Sequence, residues 1–276
     1  MKTSKKSLII RLLVILAGFI ILLYPVISDY VNTQNSGNAV NSYAGSVKKA
    51  TKKQRQQLFK KARAYNQALA KDPETFYHPN LVPGYASQLK VADTDVMAIV
   101  DIPKIKVHLP VYHGTANSVL GDGIGHLKGT SLPIGGKSTH SVLVGHRGLP
   151  SATLFTDLDA MKKGDYFTVT TLGKKITYKV DAIHVVKPNN VKYLQIEKGK
   201  DYCTLLTCTP YGINTERLLV RGVRVKNLPE KKAGKSGFFI SPKKLIYYGT
   251  MALLGLLVVI WLIALLRRSR KEKPAE

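Results

Sequence analysis

Thr204-Leu205-Leu206-Thr207-Cys208 is the stretch that decides the fold and the chemistry of this 276-residue chain. Its threonine and leucine residues are typical of a β-strand, and the strand ends at a cysteine whose side chain a substrate can reach. Arg217 follows nine residues later, and the segment Val144-Gly145-His146-Arg147-Gly148 lies upstream. A thiol, an imidazole and a guanidinium can supply the nucleophile, the proton donor and the oxyanion-binding cation of acyl transfer through a thioester.

The pattern leaves the choice of histidine and arginine open. His146 follows an apolar strand and is bounded by two glycines, which allow the backbone to turn sharply there. Arg217 begins the next strand, on its polar side. Two histidines and two arginines remain alternatives on pattern alone: His126, His140, Arg221 and Arg224.

The two cysteines of the chain are Cys203 and Cys208. Five strand steps separate them by about 16 Å and turn them to opposite faces, which excludes a disulfide between them. We interpret Cys203 as a small buried hydrophobic residue and Cys208 as the chemically active thiol.

Short runs of β-forming residues separated by turns predict an all-β barrel or sandwich with helical insertions. The predicted strands cover residues 97–103, 107–112, 139–145, 166–171, 175–180, 202–207 and 218–225. Residues 154–161 form one short helix at most, and residues 48–70 predict an amphipathic helix. Residues 32–47 predict a linker rich in Asn, Ser and Gly, and residues 71–88 a long loop of the kind that serves as a lid or binding loop.

Two apolar stretches predict membrane helices, residues 12–27 and residues 245–266. Basic residues at both outer ends favour two cytoplasmic termini and an external middle. Lysines just before the second stretch leave the opposite orientation open, and the first stretch could also be a cleaved signal peptide.

The net charge of +25, from 42 Lys and Arg against 17 Asp and Glu, is spread along the chain without a nucleic-acid recognition motif. With two apolar segments present, an anionic wall or membrane surface is the expected counterpart, and nucleic acid is not an expected partner. We find no zinc-site spacing and no glycine-rich phosphate loop, so the sequence predicts neither a metal nor a cofactor.

Several separate motifs give the chain a resemblance to the sortases. Residues 204–208 match the sortase signature Thr-Leu-x-Thr-Cys, residues 144–148 look like the sortase histidine segment, and Arg217 falls where sortases carry their catalytic arginine. The stretches that resemble class C, the pilin-polymerising branch, are residues 206–215, 102–105 and 109–115. A membrane helix at each end also fits that branch.

The resemblance implies an eight-stranded sortase-type β-barrel flanked by N- and C-terminal transmembrane helices, with the catalytic domain outside a Gram-positive cell. It implies cleavage of a Leu-Pro-x-Thr-Gly-like sorting signal between Thr and Gly through a Cys208 thioester. His146 would act as the general acid and base, and Arg217 would stabilise the thiolate and the oxyanion. The acyl group would pass to a lysine amine of another pilin subunit, which polymerises pili. The alternatives are a housekeeping-type sortase that anchors proteins to cell-wall peptide, and a catalytically silent scaffold that binds pilins.

Class C sortases carry a lid with an Asp-Pro-aromatic element over the active site. Here Asp72 and Pro73 are followed by Glu74, and an aromatic side chain arrives only at Phe76 and Tyr77. The resemblance therefore implies that Asp72 approaches Arg217 and that Phe76 or Tyr77 shields Cys208.

Pattern and resemblance together divide the chain into six parts. The first three are a cytoplasmic tip and signal-anchor helix at residues 1–30, a segment of linker, helix and lid at residues 31–88, and the catalytic barrel at residues 89–228. The last three are a basic linker at residues 229–244, a transmembrane helix at residues 245–266 and a basic cytoplasmic tail at residues 267–276.

Overall fold

The computed structural model describes residues 5–92 and 94–227, and near the C terminus residues 249–250, 253–255, 257–258 and 260–261. Between residues 5 and 227 the regular structure comprises three α-helices and eight strands, joined by turns and short 3₁₀ helices. The helices are α1 Lys5–Lys49, α2 Lys52–Lys71 and α3 Asn117–Asp122. The strands are β1 Val96–Ile102, β2 Val107–His113, β3 Ile124–His126, β4 Thr139–Val144, β5 Tyr166–Thr171, β6 Lys174–Val186, β7 Asp201–Thr209 and β8 Glu216–Val225.

The strands close into a barrel in the order β1-β2-β3-β4-β7-β8-β6-β5, which confirms the predicted eight-stranded barrel. Strand β7 lies between β4, to which it is parallel, and β8, to which it is antiparallel. The sequence pattern did not reveal β3, because three residues are too few for an alternation to be recognised. The topology nevertheless requires β3, since it joins β2 to β4.

An aromatic stack fills part of the barrel interior. Phe167 and Tyr178 are fully buried and stack with ring centroids 5.4 Å apart. Gly222 faces them, and a Cβ atom there would lie 2.6 Å from a Phe167 ring carbon. A glycine is therefore required on β8 for the strands to close over these rings.

The predicted linker at residues 32–47 is wrong, because α1 continues through this segment to Lys49. Local propensity is overridden by tertiary contacts: Asn32 and Ser36 donate to carbonyl oxygens at the end of α3, at 2.8 Å and 3.1 Å. Further along, the buried Tyr43 hydroxyl donates to the Met97 carbonyl at 3.0 Å and accepts from the Leu172 amide at 2.8 Å. The predicted helix over residues 48–70 is observed as α2.

The described residues from Ser28 to Asn227 belong to one compact unit that contains the whole barrel. Among the described residues, α1 is the one helix long and apolar enough to cross a membrane, by length and composition. The predicted span at residues 245–266 lies largely outside the described residues, and the predicted linker at 229–244 and tail at 267–276 lie wholly outside them.

Candidate active site

Cys208 and Arg217 lie directly opposite each other on neighbouring antiparallel strands. Cys208 is the penultimate residue of β7, Arg217 is the second residue of β8, and the two are register partners. Opposed residues of an antiparallel pair project from the same face with Cβ atoms about 5 Å apart. The thiol and the guanidinium therefore project side by side at one end of the barrel, and both side chains are half-buried.

His146 comes to the other side of Cys208 through the parallel pairing of β4 with β7. Val144 is the partner of Leu206, and the Gly145 amide extends the ladder by donating to the Leu206 carbonyl at 3.0 Å. The Thr207 hydroxyl donates to the Gly145 carbonyl at 2.8 Å. His146 therefore leaves β4 at the same end of the barrel at which Cys208 leaves β7, and its side chain is half-buried.

The two alternative histidines are enclosed in the protein. His126 is fully buried, with one ring nitrogen on the Tyr85 hydroxyl at 2.9 Å and the other on the Ser131 carbonyl at 2.8 Å. His140 is also buried, between the Gln195 carbonyl at 2.9 Å and the Thr204 hydroxyl at 2.7 Å. Burial lowers the pKa of each imidazole to about 4. Both are therefore neutral structural groups near neutral pH.

The two alternative arginines are committed to carboxylates. Arg221 pairs with Asp181 at 2.8 Å and with Glu197 at 3.2 Å, and Arg224 lies 3.5 Å from Asp201. Arg217 instead donates to two carbonyl oxygens, those of Asn214 at 3.1 Å and Glu216 at 3.0 Å. Within the described part of the chain no carboxylate pairs with Arg217, so its charge is available to an anion formed at Cys208.

Both cysteines are free thiols in the same strand, as expected. Cys203 faces the barrel core, where burial raises the pKa of its thiol well above the usual value. Cys208, five residues later, faces the opposite side and is partly exposed. Only Cys208 of the two is placed to react with a substrate.

A buried apolar cluster lies on the outer face of the barrel, on the same side of β7 as Cys208, and we call it the groove. Leu206 lies two residues before Cys208 and therefore on the same face of β7. The groove is the second buried cluster of the molecule: Val142, Val186, Leu194, Leu206 and Leu219, with Phe76, Leu127, Val144, Val191 and Tyr193 packed at its edge. The groove was not predicted from the sequence, although the alternating apolar residues of β4 and β7 carry its signal.

The lid residues divide between the groove and solvent. Phe76 packs against the groove, while Tyr77 is 57% exposed and contacts the Phe76 ring edge-on at 5.4 Å between centroids. Asp72 caps the 3₁₀ helix Pro73–Phe76, accepting from the Glu74 amide at 2.9 Å. No hydrogen bond or ion pair joins Asp72 to Arg217 among the described residues, so their approach stays a prediction.

No group of three or more metal-ligating side chains occurs in the part of the chain that the structure describes.

Comparison with known proteins gives matches to one family. The sortase domain family matches residues 100–225. The crystal structure of Streptococcus agalactiae sortase C1 is 41% identical, with a TM-score of 0.66 over 72% of this chain and 100% of that chain. The sortase C structure of Streptococcus pneumoniae is also 41% identical, with a TM-score of 0.64 over 70% of this chain and 100% of that one.

Among curated proteins, the Sortase A of Streptococcus agalactiae is 31% identical over 138 residues, 49% of this chain and 55% of that protein. The chain thus spans little more than half the length of that relative. The two sortase C structures, in contrast, are matched over their entire length at 41% identity. The chain therefore belongs to the sortase family, in its class C branch.

Proposed function

We propose that this protein is a cysteine transpeptidase that joins pilin subunits at the cell surface. The observation that carries the proposal is the register of β7 and β8, which sets Arg217 against Cys208 on the face of the barrel that carries the buried apolar cluster. The groove suits the Leu-Pro half of a sorting signal, which precedes the scissile bond. It would place the Thr carbonyl at the Cys208 sulfur.

The reaction proceeds in two steps. The Cys208 thiolate attacks the Thr carbonyl carbon, the oxyanion is stabilised by Arg217, and His146 donates a proton to the leaving glycine amine as the peptide bond breaks. The product of this step is a thioester. A lysine amine then attacks the thioester and gives its proton to His146, and an isopeptide bond forms as the Cys208 thiolate is released.

Similar proteins favour pilins as the substrate class. One matching structure, 42% identical over 71% of this chain, is the sortase C1 of the pilus island of group B Streptococcus. The pneumococcal sortase C structure is described as giving insight into pilin substrate specificity. A housekeeping sortase that attaches proteins to cell-wall peptide is the second candidate, supported by the 31% identity to the streptococcal Sortase A.

The proposed location follows from the apolar segments and the substrate. The catalytic barrel, residues 89–228, would lie outside the cell. Helices at residues 12–27 and 245–266 would span the membrane and both termini would be cytoplasmic. Substrates carrying a sorting signal and an acceptor lysine on the cell surface require this orientation.

The experiment that tests the function uses the full-length protein in detergent micelles with a Leu-Pro-x-Thr-Gly peptide and a lysine-bearing pilin domain. Mass spectrometry should detect peptide joined to a pilin lysine, with release of the glycine fragment. A product on cell-wall pentapeptide but not on pilin would favour the housekeeping function. Absence of thioester and of product with folded protein would reject transpeptidation.

The lid makes a separate prediction. Phe76→Ala should raise the rate of thioester formation about tenfold, because the half-buried ring packs against the groove and would have to move for the signal to bind there. Tyr77→Ala is the matched control, since its exposed ring lies outside the groove, and should change the rate by less than about twofold. Peptide-cleavage assays measure both rates. Equal effects of the two variants would show that Phe76 does not obstruct the groove.

A further inference from the structure

Arg147, the residue after His146, is a buried arginine. Only 5% of its side chain is exposed, and a buried guanidinium is tolerated only when it is paired and hydrogen-bonded. The pattern of residues around Arg147 in the sequence suggested no role for this arginine. Its partners, however, come from both sides of the candidate site.

The contacts of Arg147 reach three separate segments. Its Nη1 donates to the Thr209 hydroxyl at 3.1 Å, and its Nη2 forms an ion pair with Asp159 in the 3₁₀ helix Leu158–Ala160. The guanidinium carbon lies 5.9 Å from the centroid of the Tyr211 ring, in the turn between β7 and β8. This one side chain therefore links the segment after β4 to the end of β7 and to the turn that leads to Arg217.

The hydrogen bonds on either side of the reacting groups join the same two segments. Gly145 precedes His146 and accepts from Thr207, which precedes Cys208. Arg147 follows His146 and donates to Thr209, which follows Cys208. One hydrogen bond therefore joins the residues that precede His146 and Cys208, and a second joins the residues that follow them.

We propose that Arg147 is a positioning residue that holds His146 and Cys208 in the geometry required for proton transfer. The ladder between β4 and β7 ends at Gly145, whose amide donates to Leu206 and whose carbonyl accepts from Thr207. Beyond it, the His146 carbonyl accepts from the Phe155 amide at 3.0 Å, a bond that does not reach β7. The Arg147–Thr209 bond is a second fixed point, and Asp159 holds the guanidinium in the orientation that makes it. Because misplacement of a reacting group by about 1 Å can lower a rate by about 10²-fold, a second fixed point has a direct effect on catalysis.

The test compares Arg147→Gln and Thr209→Val with Arg221→Gln in the full-length protein. Thr209→Val removes the hydroxyl acceptor and leaves every charge in place. Arg221 is the matched control: it is a barrel arginine that is 17% exposed and ion-paired, and its register partner Thr204 lies four residues before Cys208. Its loss should lower the melting temperature without changing the chemistry.

The kinetic arm rests on the proposed function. We expect Arg147→Gln to lower kcat about 10²-fold and Thr209→Val about tenfold, with KM for the signal peptide within about twofold of wild type. The double variant should show no larger loss of kcat than Arg147→Gln alone, because both substitutions remove the same Arg147–Thr209 hydrogen bond. Arg147→Lys should recover part of the rate, since a lysine keeps the charge but reaches one partner at a time.

A second arm needs no substrate. In a Cys203→Ala background, the rate of Cys208 alkylation by iodoacetamide at neutral pH should fall about threefold or more in Thr209→Val, because the thiolate depends on a correctly placed imidazole. Arg221→Gln should not change this rate. If Arg147→Gln and Thr209→Val keep kcat and alkylation at wild-type values and lower only the melting temperature, Arg147 is a structural brace and the proposal is wrong. A wild-type protein that cleaves no peptide would instead reject the proposed function, and the alkylation rates would still decide the role of Arg147.

Discussion

Cys208→Ala is expected to abolish acyl transfer, with a loss of about 10⁴-fold or more in kcat, because no other group can form the thioester. The thiol projects from the end of β7 beside the groove, and alanine fits the same half-buried position. Mass spectrometry of the protein after mixing with signal peptide should show an acyl adduct in the wild type and none in the variant. The melting temperature should change little.

Cys203→Ala is the matched control, since it removes a free thiol from the same strand. Cys203 faces the core and is fully enclosed, so this variant should lose a small amount of stability and keep its activity within about twofold. An acyl adduct that persists in Cys208→Ala, or that disappears in Cys203→Ala, would contradict the assignment of the nucleophile.

Arg217→Gln is expected to lower kcat by about 10²- to 10³-fold, the usual effect of removing one oxyanion donor. The guanidinium lies opposite Cys208 and has no carboxylate partner among the described residues, so its charge acts on the reacting centre rather than on a neighbouring side chain. Steady-state cleavage of the signal peptide measures the effect, and KM should change much less than kcat. Arg217→Lys should retain part of the rate, because the charge remains but the fork of donors is lost.

Arg221→Gln serves again as the control on the same strand and the same face of the barrel. It removes two ion pairs, to Asp181 and Glu197, and should therefore affect stability rather than rate. A loss of activity in Arg221→Gln equal to that in Arg217→Gln would mean that charge on this strand, and not the position of Arg217, is what the reaction needs.

Much of the barrel could be predicted because its strands are encoded locally. Strand β5, for example, was predicted at residues 166–171 and is observed at Tyr166–Thr171. Strand β3 and helix α3 were missed because three and six residues are too short for a period to be recognised. The linker prediction at residues 32–47 failed for another reason: Asn, Ser and Gly disfavour a helix locally, but contacts such as the Tyr43 hydrogen bonds stabilise α1 there.

The candidate site was predicted in its residue types but not in its surroundings. Cys208 was recognised from its strand and signature, whereas His126, His140 and His146 were equivalent by pattern. The structure separates them by burial and by position, since His126 and His140 are enclosed while His146 lies at the end of β4 beside Cys208. The groove and the role of Phe76 within it were also beyond the sequence, because they arise where β4, β6, β7 and β8 present side chains to the same face.

The sequence by itself determined seven of the eight strands, the candidate cysteine nucleophile and the family, since these depend on residues close together in the chain. The tertiary structure decided which histidine and arginine stand beside Cys208, because β4, β7 and β8 meet only through barrel closure. It also decided that Arg147, the residue after His146, donates to Thr209, the residue after Cys208, a contact across 62 residues of sequence. Contacts of such separation depend on strand register, and register is set by the packing of the whole barrel.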